Sequence, residues 1–169
     1  MTESGPQKKR ELDDIGLYIK NRSCGGSIVQ DVLDAKGSGV VTISPEAPLR
    51  EAVSLMSQHN IGVLVVVEGE ELAGIISERD FAREEVFGRR NWDENQVHRL
   101  MKSPVQTVSP DDSVMECLSL MTMGRVRHLP VKAGGRLAGL VSIGDLVKDF
   151  LAGRDNLIRQ YDEYIRGTM

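Results

Sequence analysis

Leu72-Ala-Gly-Ile-Ile-Ser-Glu-Arg-Asp80 recurs 65 residues later as Leu137-Ala-Gly-Leu-Val-Ser-Ile-Gly-Asp145. The same offset carries Val41-Thr-Ile-Ser-Pro45 onto Gln106-Thr-Val-Ser-Pro110, so no residue is gained or lost between the two ends of the unit. Between these anchors identities fall at Ser54/Ser119, Leu55/Leu120, Met56/Met121, Leu64/Leu129, Val66/Val131, Gly69/Gly134 and Gly74/Gly139. Chance gives about two or three matches over such a window, so the chain contains a duplication. A duplicated half-domain is expected to pack as a pseudo-symmetric pair, with the cleft between the halves as the first place to look for a site.

Each copy reads as strand, helix, strand, strand, helix. A short strand (Val40 to Ile43; Gln106 to Val108) runs into Ser-Pro, where the proline sits in the turn before a helix. Leu49, Ala52, Val53, Leu55 and Met56, and in the second copy Val114, Cys117, Leu118 and Met121, fall at helical spacing. Two strands follow, Gly62 to Val67 with Leu72 to Ile76 and Leu129 to Lys132 with Leu137 to Val141, joined by turns at Gly69 and Gly134-Gly135. A second helix opens after Ser77 and after Ser142. Residues 1–10 read as a disordered tail, 11–27 as an N-terminal helix and loop, 28–90 as the first repeat and 91–150 as the second, with a further turn at Ile28 to Leu33. Residues 151–169 read as a C-terminal helical extension whose Leu157, Ile158, Tyr161 and Ile165 need cover, either from a second subunit in a two-fold dimer or from the chain's own domain.

Composition narrows the function classes. The chain has 169 residues, 40% of them apolar, which suffices for one ordinary core or two small units sharing one. A net charge of −4 and a pI near 5.4 give no general field for nucleic acid or anionic membrane. Only two cysteines occur, Cys24 and Cys117, and the first residues lack the apolar run of a signal peptide, so a reduced, cytoplasmic protein is expected. No apolar run is long enough to span a membrane.

The strongest chemical signal is Ser-x-x-Asp where the third strand meets the second helix, at Ser77-Glu-Arg-Asp80 and Ser142-Ile-Gly-Asp145. Two readings stay open. One is a helix N-cap with its acidic partner three residues on, satisfying orphan N–H groups. The other is a carboxylate at a helix start that accepts hydrogen bonds from the vicinal hydroxyls of a ribose, as the acid of dinucleotide folds does.

With Arg127-His-Leu-Pro-Val131, Leu137 to Val147, the Val-Ser-Pro turn at Val108 to Pro110 and Gly74-Ile-Ile-Ser-Glu-Arg-Asp80, the chain resembles a tandem pair of CBS domains, the regulatory repeat named after cystathionine β-synthase and also called a Bateman module. The resemblance covers about Ile28 to Lys148. It implies an α+β or α/β fold of two pseudo-symmetric β-α-β-β-α half-domains packed through their sheets, flanked by N- and C-terminal helices. It also implies clefts for adenosine-containing ligands (AMP, ADP or ATP, with NAD, NADH or S-adenosylmethionine as further possibilities) and homodimerisation into a disc of four motifs. On that resemblance Asp80 and Asp145 correspond to ribose-binding acids, with Ser77 and Ser142 near sugar or phosphate and Thr42 and Thr107 at the adenine end. Ile61, Gly62 and Val63, with Val126, Leu129 and the intervening residues, match strands whose backbone reads the base edge. Arg79, Lys102, Arg125, Arg127 and His128 are candidate phosphate contacts, a guanidinium gripping phosphate bidentately where an ammonium acts as a point charge. Arg125 and Arg127 also read as solvated surface, and His128 as a half-buried structural histidine. Positions 60 and 62 are Asn and Gly where 125 and 127 are Arg, so the two clefts are expected to differ.

Other chemistry finds no footing in the sequence. The three histidines and two cysteines lack the spacing of a metal site, and Ser77 and Ser142 lack a nucleophile-elbow context. Met56, Met101, Met121 and Met123 read as core filler and Trp92 as core packing. The expectation is a non-catalytic adenine-nucleotide sensor acting on an unidentified protein target, with no metal and no catalytic cofactor. The alternative is a structural CBS module that regulates its partner without bound nucleotide.

Overall fold

β-Branched and leucine residues dominate 63–67, and both faces of that segment are buried, which is why its sequence is a continuous apolar run instead of an alternation. The computed structural model describes residues 26–86, 92 and 94–153. The elements are α1 (Val29–Lys36), β1 (Thr42–Ile43), α2 (Leu49–His59), β2 (Val63–Glu68), β3 (Glu71–Ser77), α3 (Glu78–Val86), a 3-10 turn (Val97–Arg99), α4 (Val114–Gly124), β4 (His128–Ala133) and β5 (Arg136–Ser142). A further helix, α5, is helical through 143–153. The fold is mixed α+β. The described residues gather into two compact units, one holding 26–36, 111–128 and 141–153, the other 37–86, 92, 94–110 and 129–140.

In the second of these units β1 pairs parallel with β2 (Thr42 with Val65, Ile43 with Val66) and β2 antiparallel with β3. Period two then sorts β2 between two cores. Leu64 and Val66 join Leu49, Ala52, Met56, Ile76, Phe81 and Val97, while Val63, Val65 and Ile75 pack with Val40, Val105, Leu137 and Leu140. Trp92 packs on the first of these clusters, its ring 5.6 Å from that of Phe81, as the core reading requires. β4 and β5 form a two-stranded hairpin, its turn at Gly134-Gly135 in positive φ. Parallel pairing in the second copy contracts to one bridge, Val108 with Val131, the counterpart of Ile43 with Val66. The expected strands at Val40 to Ile43 and Gln106 to Val108 are therefore shorter than the sequence suggests.

The first unit is built on α4 and α5, with Val114, Cys117, Met121 and Leu146 buried. Ser113 caps α4 through a complete capping box with Glu116, whereas Pro48 at the matching position of α2 supplies no side-chain cap. Both helices end on a left-handed residue, Asn60 (φ 52°) and Arg125 (φ 50°), whose N–H groups close back on the last turn. The segment read as a turn at Ile28 to Leu33 is instead the helix α1, because Val29, Val32 and Leu33 recur at helical spacing and are all buried. The tail expected at 1–10 and residues 11–25 of the expected N-terminal helix and loop lie outside the described residues, as do 154–169 of the expected C-terminal extension.

Each repeat is closed by the opening segment of the other. Val29 N–H donates to the Asp112 carbonyl and Val114 N–H to that of Ser27, both at 2.9 Å, so the start of the first repeat docks at the entrance of α4. Reciprocally, Leu49 N–H donates to Asn95, Val97 N–H to Ala47 and His98 N–H to Pro45, each at 2.9 Å, so the start of the second repeat docks at the entrance of α2. That second segment continues alongside β3, where Ile75 and Lys102 exchange backbone hydrogen bonds of 3.1 and 2.8 Å. The approach is close enough that a Cβ on Gly74 would stand 2.6 Å from the Lys102 carbonyl oxygen and 3.1 Å from Met101 Sδ. Gly74→Ala should therefore push residues 101–102 off the strand and cost about 1–3 kcal/mol in chemical denaturation; a variant as stable as the parent would contradict this packing.

Candidate functional site

β3 ends at Ser77 and α3 begins at Glu78, which places Asp80 in the first helical turn, where a carboxylate meets unpaired N–H groups and the positive end of the helix dipole. Asp80 Oδ2 accepts the Ser77 N–H at 2.9 Å and the Ser77 hydroxyl at 2.5 Å. Its Oδ1 lies 3.0 Å from Lys102 Nζ, and the carboxylate is only 5% exposed. At the matching turn Asp145 Oδ2 accepts the Ser142 N–H and hydroxyl, both at 2.8 Å, and the Asp145 N–H donates back to Ser142 Oγ at 3.2 Å. Lys36 Nζ stands 2.6 Å from the same Oδ2, and here the carboxylate is 27% exposed. Burial disfavours charge on Asp145, but the bonds from Lys36 and Ser142 outweigh it and hold the carboxyl below its ordinary range. The capping geometry is thus present in both copies, and each capped acid also carries a lysine.

One backbone bond, repeated in both copies, sets the neighbouring strand against each acid. Glu78 N–H donates to the Gly62 carbonyl at 3.0 Å, and Ile143 N–H to the Arg127 carbonyl at 2.9 Å. Ile61, Gly62 and Val63 are thereby gathered with Ser77, Asp80 and Lys102, and Arg127 and His128 with Ser142, Asp145 and Lys36. The charges at the two edges are opposite. The Glu78 carboxylate lies over Gly62, with Oε2 3.2 Å from where a Cβ would stand, whereas the second copy has Arg127 and Ile143 at these positions.

The remaining sequence-selected residues are more scattered. Thr42 is exposed on β1 opposite Val65, and Arg79 is exposed in the first turn of α3. Arg125 is the exposed left-handed cap of α4, and Val126, half-buried, donates its N–H to Met121 at 3.0 Å. Thr107 is exposed beside the Val108–Val131 bridge and Leu129 is fully buried, both in the unit that holds Asp80. That unit also has a cavity of about 610 Å3 between α2, α3 and Trp92; it reaches Ile61, Gly62 and Glu78 but not Ser77, Asp80 or Lys102. Lys36 is the residue that sequence reasoning missed. It lies six positions before Thr42 while Lys102 lies five before Thr107, so strict alignment at 65 sets Lys36 opposite Met101 and hides the match.

The family model for the CBS domain matches residues 30–86 and 97–152. A CBS domain-containing mitochondrial protein of Arabidopsis thaliana, CBSX3, is 34% identical over 148 residues, covering 82% of this chain and 72% of the relative. Among solved structures, a protein with CBS domains from Burkholderia ambifaria MC40-6 is 43% identical with a TM-score of 0.71, covering 75% of this chain and 95% of that one. The CBS domain pair of protein MJ0100, described in complex with 5'-methylthioadenosine and S-adenosyl-L-methionine, shares the fold at 24% identity and a TM-score of 0.65, covering 75% of this chain and 97% of that one.

His128, half-buried beside these groups, is the titrating reporter of the second acid. Burial pushes its pKa below the ordinary value, Asp145 pulls it upward, and Lys36 and Arg127 push it down further. Because the folded-state pKa is depressed, the neutral ring contributes stability in full above about pH 6.5, and that contribution fades as pH falls through the folded value. In an NMR titration the His128 ring should show a midpoint below the usual histidine range, and Asp145→Asn should lower it again; a midpoint raised by that substitution would refute the arrangement.

Proposed function

Because the chain belongs to the CBS domain family, we propose that it is a non-catalytic regulatory module that binds an adenine nucleotide, AMP, ADP or ATP, at the Asp145 turn. The observation that carries this reading is the charge arrangement of one edge: a partly exposed, capped carboxylate with Lys36 on it and Arg127 on the adjoining strand. A carboxylate accepts the ribose hydroxyls, and the cations offer partners to the phosphates. Ser142, His128 and Arg125 complete the proposed site, with Val126 to His128 offering backbone to the base. At the Asp80 turn the acid is buried beneath Lys102 and Glu78 adds negative charge, so that copy is the weaker site. The same burial favours a second reading, in which this copy is a structural cap and the module regulates a partner protein without nucleotide there.

The output passes to a partner protein, in a cytoplasmic homodimer. Support for self-association comes from α5, where Ile143, Val147 and Leu151 are exposed at intervals of four and form one apolar stripe. NAD, NADH and S-adenosylmethionine are the competing ligands. That the MJ0100 pair is described with two adenosine compounds supports the chemical class.

A thermal-shift series with AMP, ADP, ATP, NAD, NADH and S-adenosylmethionine tests the proposal. A ligand at about a hundred times its Kd adds about 2.7 kcal/mol to the stability of the folded state. AMP, ADP or ATP should raise the melting temperature by several degrees, Asp145→Ala should abolish that rise in a protein that still folds, and Asp80→Ala should leave most of it. If no adenosine compound moves the transition, the nucleotide-free module replaces this reading.

A further inference from the structure

We propose that Lys36 is the residue that makes the Asp145 site specific for phosphorylated ligands, by handing its ammonium from the carboxylate to the incoming phosphate. This rests on the nucleotide reading above and names how that site selects. The Lys36 ammonium, the Ser142 N–H and the Ser142 hydroxyl all converge on Asp145 Oδ2. A ribose that engages this carboxylate competes with the ion pair. A neutral nucleoside offers the lysine nothing in return, and a sulfonium ligand adds a like charge. A phosphate instead gives the ammonium a new anionic partner on the same side, and lysine, a compact charge on a flexible four-carbon stem, is suited to such a transfer. An exposed pair of this kind contributes little to folding, so its retention as a packing device is a weak explanation.

A second observation makes the pairing more than incidental. Lysine on a capped acid is built twice, Lys36 with Asp145 and Lys102 with Asp80, each lysine coming from the opening segment of the other repeat and at a spacing the duplication itself does not preserve. Lys36 is also the last residue of α1, where the helix dipole favours a cation, so its backbone position is held while its side chain stays 33% exposed.

Isothermal titration of the full chain with AMP and with adenosine decides the matter. The parent should bind AMP at least about tenfold more tightly than adenosine. Lys36→Met should weaken AMP about tenfold while leaving adenosine unchanged or tighter, and Lys36→Arg should restore the parental ratio. Equal loss of both ligands, an unaltered ratio in Lys36→Met, or a parent that binds the two alike would overturn the selection role and leave the nucleotide reading standing. A parent that binds neither would overturn both.

Discussion

The architecture depends on one arrangement: the entrance of the helix after each Ser-Pro turn is satisfied by backbone from the opening stretch of the other repeat. Helix starts expose N–H groups that water or a partner must take up. Here Ser27 takes up the N–H of Val114, and Asn95 that of Leu49. From that docking the rest follows in order. Residues 95–102 are carried along β3, which is possible only because Gly74 lacks a side chain, and Lys102 arrives at Asp80. In the other unit α1 is laid down with Val29, Val32 and Leu33 buried, and its final residue, Lys36, arrives at Asp145. In each unit the docking that satisfies a helix entrance also sets a lysine on the capped acid.

The two Ser–x–x–Asp turns are alike in skeleton and differ in the side chains beside them. Ser–x–x–Asp and the strand-to-helix backbone bond are common to both, since they solve the same capping problem. The side chains over that frame diverge. Glu78 closes on Gly62 in one copy, and Arg127 stands at the position of Gly62 in the other. Duplication accounts for the shared geometry, and substitution for the side chains that differ.

Much of this was legible in the residues. The offset of 65 gave the elements of both copies, the Ser–x–x–Asp turns and the asymmetry at positions 60 and 62, because strand alternation, helical spacing and capping are local rules. Local rules are also why other features stayed hidden. The helix that includes Val29 to Leu33 runs on through Lys36 in a polar last turn that carries no apolar spacing to announce its length, and it docks at the entrance of α4. The strand expected at Gln106 to Val108 shrank to a single bridge because strand length depends on a neighbour's register, which propensity does not encode. Lys36 escaped notice because its match to Lys102 is slipped by one residue and its partner is 109 positions away.

The crossed docking also bears on how such a chain can evolve. A gene fragment encoding one copy with its own leader would deliver a leader shaped for a host that is no longer there, and a helix whose entrance stands open to solvent. Loss of either half is thus penalised at once, while shuffling the whole pair into new surroundings leaves every internal tie intact. The heritable building block is the couple, not the single motif.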